Sequence, residues 1–297
     1  MVFPGNNQPE SKKITPCRQV VPRGQSSEFP TLRFASFLGD NAFELYRQIV
    51  VYVGRVTGCA TEMVTGLSPS EQEAMVNQAV IQAVFTCGLP YVCKADHDPP
   101  LLRLIAAPVL TAQRYRNRPI YFADIIVHRD SAFQTFEDLR GATFAYNEVH
   151  SLSGYLAVCH HLLSQGEKGG FFGRAVPSGT HAASMDWVEQ GRVNSAAIDS
   201  VVLDMELTQR PERAAVFRVI EQIGPFPMPP VAAVAGLEES VCRQLGEVLL
   251  IMHNDELGRA VLNRAGIRRF ARVVDRDYDP IRRVVQKLKN GPEIQLA

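Results

Sequence analysis

The apolar positions of this chain switch repeatedly between two periods. From Leu32 to Phe37 apolar and other residues alternate as in a half-buried strand, and the chain then turns at Gly39-Asp40. From Asn41 the period becomes helical. Phe43, Tyr46, Ile49, Val50 and Val53 recur on one face, Asn41 and Glu44 stand at capping-box spacing, and Gly58 is placed to stop the helix. Thr61–Thr65 reads as the next strand. Ser68-Pro69-Ser70-Glu71 reads as a helix start, with Pro in the first turn and Glu three residues after the cap. Ile81–Thr86 is a short buried strand that runs out into Cys87-Gly88-Leu89-Pro90-Tyr91.

The alternation continues. Leu101–Leu110, Tyr121–Val127 and Ala142–Ala145 read as strands. The last enters a loop from Tyr146 to Ser153, then a helix from Gly154 to about Ser164 that turns Leu156, Cys159, Leu162 and Leu163 inward. Arg174–Val176 is a strand, His181–Gln190 a helix ended by Gly191, and Ala196–Asp199 a strand. Val216–Ile223 leads into the Pro-rich Gly224–Pro230, and Val231–Ala235 is one more strand. The remainder reads as helical, with Val241, Leu245, Val248, Leu249 and Met252 on one face.

Strands alternating with helices imply parallel-type sheets covered on both faces. Here two such sets occur, one nested inside the other and joined through a Pro-rich crossover, which predicts two α/β lobes with a hinge. Ligands of open α/β sheets sit beyond the carboxyl ends of the strands. The loops of interest are therefore Gly39–Asn41, Cys87–Tyr91, Tyr146–Gly154, Ser178–His181 and Asp199–Ser200.

Composition narrows this picture. With 297 residues, 46% of them hydrophobic, the chain can build both cores without disulfides. Its 31 basic and 31 acidic side chains cancel, which argues against general nucleic-acid or membrane-surface binding. A bound anion must then be held by a local site. No apolar run reaches the ~18 residues of a membrane span. The six cysteines are scattered, match no zinc spacing and lack histidines at metal spacing, so free thiols, a reduced compartment and no metal site are expected. Met1–Phe29 holds Lys12, Lys13, Arg18 and Arg23 among Pro, Gly, Ser and Gln with no apolar core of a signal peptide. A disordered leader over residues 1–31 and a cytoplasmic chain are expected as written, or a periplasmic one if the native N-terminus differs.

The sharpest chemical feature is Asn147-Glu148-Val149-His150-Ser151-Leu152-Ser153-Gly154-Tyr155, between a strand and a helix. Free N–H groups at a helix start favour an anion, and two hydroxyls add donors that rotate to suit a tetrahedral oxyanion. Plain N-capping by Ser153 is the alternative. Ser178-Gly179-Thr180-His181 is a second strand-to-helix loop. The ring of His181 there either donates to an oxyanion as a neutral tautomer or lies in solvent beside a Thr180 cap. Asp199 ends an apolar strand, where it either accepts from a ligand or caps the following helix. Cys87 lacks a neighbouring base in sequence, so nucleophilic use is disfavoured. His160-His161 points two ways around one helix. The Arg-rich tail, interleaved with Asp275, Asp277 and Asp279, reads as a solvated helical face. No GxGxxG, P-loop, GxSxG or HExxH is present.

Taken in order, these pieces resemble the phosphate, phosphite and phosphonate-binding proteins of ABC importers. The resemblance runs from about Leu32 to Arg283. It rests on Phe34–Leu38 with Asn41–Phe43, Cys87–Tyr91, Ala123–Val127 with Asp130-Ser131, Phe136–Gly141, Ser151–Gly154, Ser178–His181, Ala197–Ser200 and Asp277–Pro280. It implies a two-lobe fold like that of type II periplasmic binding proteins, each lobe a mixed, mostly parallel sheet flanked by helices. Lobe I would span 32–122 plus 226–297 and lobe II 123–225, with hinge strands crossing near Phe122 and Pro225. It further implies oxyanion binding by Ser151, Ser153, Gly154 and His181, with Asp199 near the ligand's other end and Tyr91 and Phe43 contributed from the opposite lobe. His150 and Tyr146 complete the expected lining. The family loop commonly reads Asn-Ser-Thr-Ser-Gly. Here His150 precedes Ser151 and Leu152 separates the serines, so one hydroxyl donor is lost and an imidazole stands ready to replace it. The expected function is non-enzymatic binding of a phosphonate- or phosphate-like ligand, without cofactor, as a solute-binding or sensor protein, with an ABC permease as partner in the former case. The rival is an enzyme on the same fold, resembling the thiamine-pyrimidine synthases, for which Cys87 and His150 are the only candidate groups.

Overall fold

The computed structural model describes residues 31–38, 42–66, 68–292 and 295–297. The leader apart from Thr31, the Gly39–Asn41 turn and the Asn41 half of the proposed capping box lie outside the described residues. Glu44, the other half, is engaged by Arg47 and Gln48.

Two sheets organise the chain. The first contains β1 (Leu32–Ser36), β2 (Thr61–Met63), β3 (Ala83–Phe85), β4 (Leu102–Leu110), β10 (Val231–Val234) and β11 (Ile267–Ala271), in the order β11-β4-β10-β3-β1-β2. The second contains β5 (Ile120–His128), β6 (Thr143–Tyr146), β7 (Arg174–Pro177), β8 (Ser195–Asp199) and β9 (Phe217–Pro227), in the order β7-β6-β8-β5-β9. Pairing is parallel among β1, β2 and β3 and among β6, β7 and β8. It is antiparallel wherever β4, β5, β9, β10 or β11 takes part, so the sheets are mixed and less parallel than the sequence implies.

The central strands are built from residues that let helices approach both faces. Ala35, Val84, Ala106, Ala107, Ala232 and Ala233 have no exposed surface, and neither do Ile125, Ile126, Ala196, Ala197 and Ile198 in the second sheet. Helix α1 (Phe43–Thr57) buries Ile49, Val50, Tyr52 and Val53. It stops where Gly58, at φ +74°, turns its N–H back to the Gly54 carbonyl. Helix α2 (Pro69–Asn77) opens with the capping box expected from its sequence: Glu71 N–H donates to Ser68 Oγ at 3.3 Å and Ser68 N–H to Glu71 Oε2 at 2.7 Å.

Two segments depart from expectation. Gly88–Ala95, read as a loop, is helix α3, and Pro90 fits its first turn because the missing N–H would be unpaired there anyway. The helix expected to follow an Asp199 cap is α6 (Ser200–Gln209). The supposed all-helical remainder holds α7 (Glu239–Ile251), α8 (Glu256–Arg264) and α9 (Asp279–Asn290), but also the edge strand β11. Its pairing with β4 sets Phe270 opposite Pro108 and Ala271 opposite Ala107, while Arg268 stays in solvent, a charged side chain that an edge position tolerates.

The chain crosses between the sheets twice, from β4 to β5 through residues 111–119 and from β9 to β10 through 228–230. The two crossings lie side by side, with Ile120 opposite Pro227 and Tyr121 opposite Phe226. Helix α9 packs on α3, beside the first sheet, and on α4 (Ala157–Ser164), beside the second. Beyond it, Gln295 and Leu296 carbonyls accept from Gly170 and Phe172 N–H at 3.2 and 2.9 Å, and Leu296 is buried. Among the described residues no helix is long and apolar enough to cross a membrane.

Candidate functional site

The loops after β6, β7 and β8 come together at the carboxyl end of the second sheet. After β6 the chain starts its helix earlier than the sequence suggests, with one wide π-type turn over Leu152–Leu156 before α4. The cap of this turn is Ser151, whose Oγ accepts from Gly154 N–H at 3.1 Å. The capping role weighed for Ser153 is thus filled by its neighbour. Ser153 is 4% exposed, and its Oγ lies 3.4 Å from Nε2 of His181.

His181 is the first residue of helix α5 (His181–Glu189), whose cap is Thr180, accepting from Ala183 N–H at 3.0 Å. The ring is no solvent histidine. Burial pulls its pKa down to about 4, opposed by the Ala197 backbone it faces, so it is neutral and carries a single N–H. Its Nδ1 is buried and no hydrogen bond of ordinary geometry reaches it.

The two helix starts are held in register by the loops that precede them. Ser178 N–H donates to the Tyr146 carbonyl at 2.8 Å and Gly179 N–H to the Asn147 carbonyl at 3.0 Å. Asn147 Oδ1, buried and without a partner, rests on Gly154 so closely that a Cβ there would lie 1.8 Å from it. A side chain at 154 would have to displace the Asn147 amide. Tyr146 packs its ring on Tyr155 at 4.8 Å.

Asp199 both caps α6, accepting from Val201 N–H at 2.8 Å, and stands at the carboxyl end of β8, so the two readings of this residue are compatible. Burial pushes its carboxyl up to about 7, with the backbone groups of Val201 and Val202 opposing. From the first sheet, Cys87 follows β3 and Tyr46 lies one turn into α1. Burial pushes the Cys87 thiol up to about 12, and the neighbouring carboxylates Asp199 and Glu148 push the same way. Tyr46 stacks on Phe85 at 4.4 Å, and burial together with Cys87 and Asp199 raises its hydroxyl pKa. Tyr121, on the crossing strand β5, is also raised, by burial and then Asp199 and Cys87. These mutual influences put Asp199 and Glu148, at the carboxyl end of the second sheet, close to Cys87 and Tyr46 beside the first.

Of the residues singled out from sequence, Ser151, Ser153, Gly154, His181 and Asp199 gather at this end of the second sheet, with Tyr146 beneath them. Phe43 is half-buried at the start of α1. His150 is exposed on its loop and is not drawn into the cluster. Tyr91 is a correction. It is 2% exposed, donates its hydroxyl to Asp275 Oδ1 at 2.8 Å and packs on Tyr278, so it belongs to the interior of the first lobe. Tyr46, Tyr121, Glu148 and Asn147 escaped sequence reasoning. Tyr46 was legible only as a core position at helical spacing and Tyr121 only as a strand residue, while Asn147 and Glu148 lay in the strand-to-helix motif without a role of their own.

Chemically, the cluster offers hydroxyl, imidazole and helix-start N–H donors beside one carboxyl that is easily neutralised. Such a set suits an oxyanion. It offers no cation to activate the Cys87 thiol. Among the described residues no group of three His, Cys, Asp or Glu side chains is arranged to hold a metal ion.

The profile of the phosphonate ABC-transporter periplasmic substrate-binding proteins matches residues 34–278. No curated protein sequence matches. Among solved structures, the chain is similar to PhnD1 from Prochlorococcus marinus in complex with methylphosphonate, at a TM-score of 0.73 and 16% identity, covering 88% of this chain and 99% of that one. It is similar to a binding protein component of an ABC phosphonate transporter from Pseudomonas aeruginosa, at a TM-score of 0.72 and 17% identity over 87% and 86% of the two chains. A Xanthomonas citri protein bound to ATP aligns at a TM-score of 0.68 and 18% identity over 88% and 98%. The two-sheet architecture is that of type II periplasmic binding proteins, and with the profile covering most of its length the chain belongs to the periplasmic phosphonate substrate-binding family of ABC transporters.

Proposed function

We propose that the chain captures a small tetrahedral oxyanion of the phosphonate or phosphate class in the interlobe cleft and delivers it to an ABC permease, outside the inner membrane as its family does. The observation that carries this reading is the pairing of Ser153 with a neutral His181 at two adjoining helix starts. Charge-assisted hydrogen bonds contribute about 1.5–3 kcal/mol each and a helix N-terminus about 0.3–1 kcal/mol. Three or four such contacts offset desolvation of the anion and leave roughly micromolar affinity, about −8 kcal/mol. Residues 43 and 46 close the cleft from the first lobe, and Asp199 sets what the ligand presents at its other end.

Catalysis on the same fold finds no support in the cleft. A nucleophilic Cys87 needs a lowered pKa, and its surroundings raise it to about 12. His150, the other candidate, is exposed.

Calorimetric titration with methylphosphonate, phosphate, phosphite and sulfate tests the assignment. Ser153→Ala and His181→Ala are expected to weaken the preferred ligand about tenfold or more, since a desolvated oxyanion loses a donor. Cys87→Ser is expected to change affinity little. Wild-type affinity in both alanine variants, at matched thermal stability, places the oxyanion elsewhere.

A further inference from the structure

The second lobe carries a cavity of about 260 Å³ lined by Thr143, Arg174, Val176, Trp187, Arg192 and Val193. Thr143 and Arg174 are the first residues of β6 and β7, whose last residues, Tyr146 and Pro177, lead into the oxyanion loops. Because these strands are parallel, the cavity opens at the opposite end of the sheet from the cleft. The phosphonate reading does not account for it.

Its chemistry is specific. Val176 and Val193 supply an apolar floor, and Trp187, the sole tryptophan of the chain, supplies an aromatic wall. The Arg192 guanidinium lies over the indole, 5.6 Å from its centroid. Arg174 and Arg192 are both exposed, and among the described residues neither makes an ion pair or side-chain hydrogen bond. No carboxylate is among the lining residues. Two like charges beside one apolar hollow repel each other unless an anion lies between them, and guanidinium groups grip carboxylates in a planar, two-pronged way. The indole face favours an aromatic ring, and a cation already poised over it draws the ring's acidic group into place. The hollow is smaller than the ~300–1,000 Å³ of sites for drug-sized ligands, which limits the occupant to about one ring.

We infer that this cavity is a second binding site, separate from the cleft, for a monocyclic aromatic anion: the ring lies against Trp187 and its acidic group bridges Arg174 and Arg192. Since Trp187 is the only tryptophan, its emission reports this site directly. Benzoate titrated into the full chain is expected to change that emission saturably, with saturation transfer from the indole protons to the benzoate ring. Arg174→Gln and Arg192→Gln are each expected to raise the half-saturation concentration about fivefold, the contribution of a partly exposed charge-assisted contact. Cyclohexanecarboxylate and inorganic phosphate are expected to bind markedly more weakly, and Ser153→Ala to change nothing. The inference is overturned by absence of both emission change and saturation transfer, by equal affinity for cyclohexanecarboxylate, by unchanged half-saturation in both arginine variants, or by displacement of benzoate with methylphosphonate. The last result would place benzoate in the cleft, whereas the others leave the cleft reading untouched.

Discussion

Two serines one residue apart have different roles. Ser151 spends its hydroxyl on Gly154 N–H, so Ser151→Ala is expected to cost about 1 kcal/mol of stability as a lost cap. Ser153 has no backbone partner and faces a histidine. The site's pH response follows from His181 and Asp199. For His181 the folded value, about 4, lies below the unfolded one, so its contribution to stability is fully present above the ordinary histidine range and is lost as pH falls through about 4. Asp199 runs the other way. Its folded value of about 7 lies above the unfolded one, so its contribution is present at low pH and is lost as pH rises through about 7. An ionised Asp199 also repels a bound oxyanion. Methylphosphonate affinity is therefore expected to fall as pH rises past about 7, and Asp199→Asn to remove the part of that fall not due to the ligand's own ionisation. Calorimetry from about pH 5.5 to 8.5 checks this, and identical profiles for the two proteins would refute it.

At the scale of elements, the local rules worked where a side chain meets its own backbone. The Ser68–Glu71 capping box and the Gly58 stop formed as their spacing requires, because both bonds close within one turn. They failed for α3 and β11. Cys87-Gly88-Leu89-Pro90-Tyr91 carries Gly and Pro, turn residues in isolation, yet here Pro90 serves a helix start that packs on α9. Tyr91 then ties that helix through Asp275 to the turn before α9. Tyr91→Phe is accordingly expected to lower stability by about 1 kcal/mol in denaturant titrations while leaving methylphosphonate affinity unchanged. A large loss of affinity would return Tyr91 to the cleft.

At the scale of the molecule, the two sheets share two crossing segments and a strap. The crossings pair with each other through β5 and β9. Closure on a ligand is expected to reduce the radius of gyration in solution scattering, because only the closed form lets both lobes touch one small anion. An unchanged curve at saturating ligand, with binding established by calorimetry, would rule that out. Helix α9 and the segment at Leu296 reach across to the second lobe, so the chain is fastened at its end as well as at the crossings.

The sequence by itself determined the alternation of strands and helices and the order of the two sets. It also marked the loops that bear Ser151, Ser153, His181 and Asp199. Hydrophobic period, capping chemistry and strand-end position are all written within a few residues of each other, and the family resemblance followed from the order of the motifs. Tertiary structure decided what each polar group is free to do. Which serine caps, whether His181 is charged, what a side chain at 154 would displace and whether Tyr91 reaches a ligand depend on neighbours 20 or more residues away in several cases, such as the 28 residues between Ser153 and His181. Burial and charge at a point in space sum over every element that meets there, and no local pattern along the chain encodes that sum.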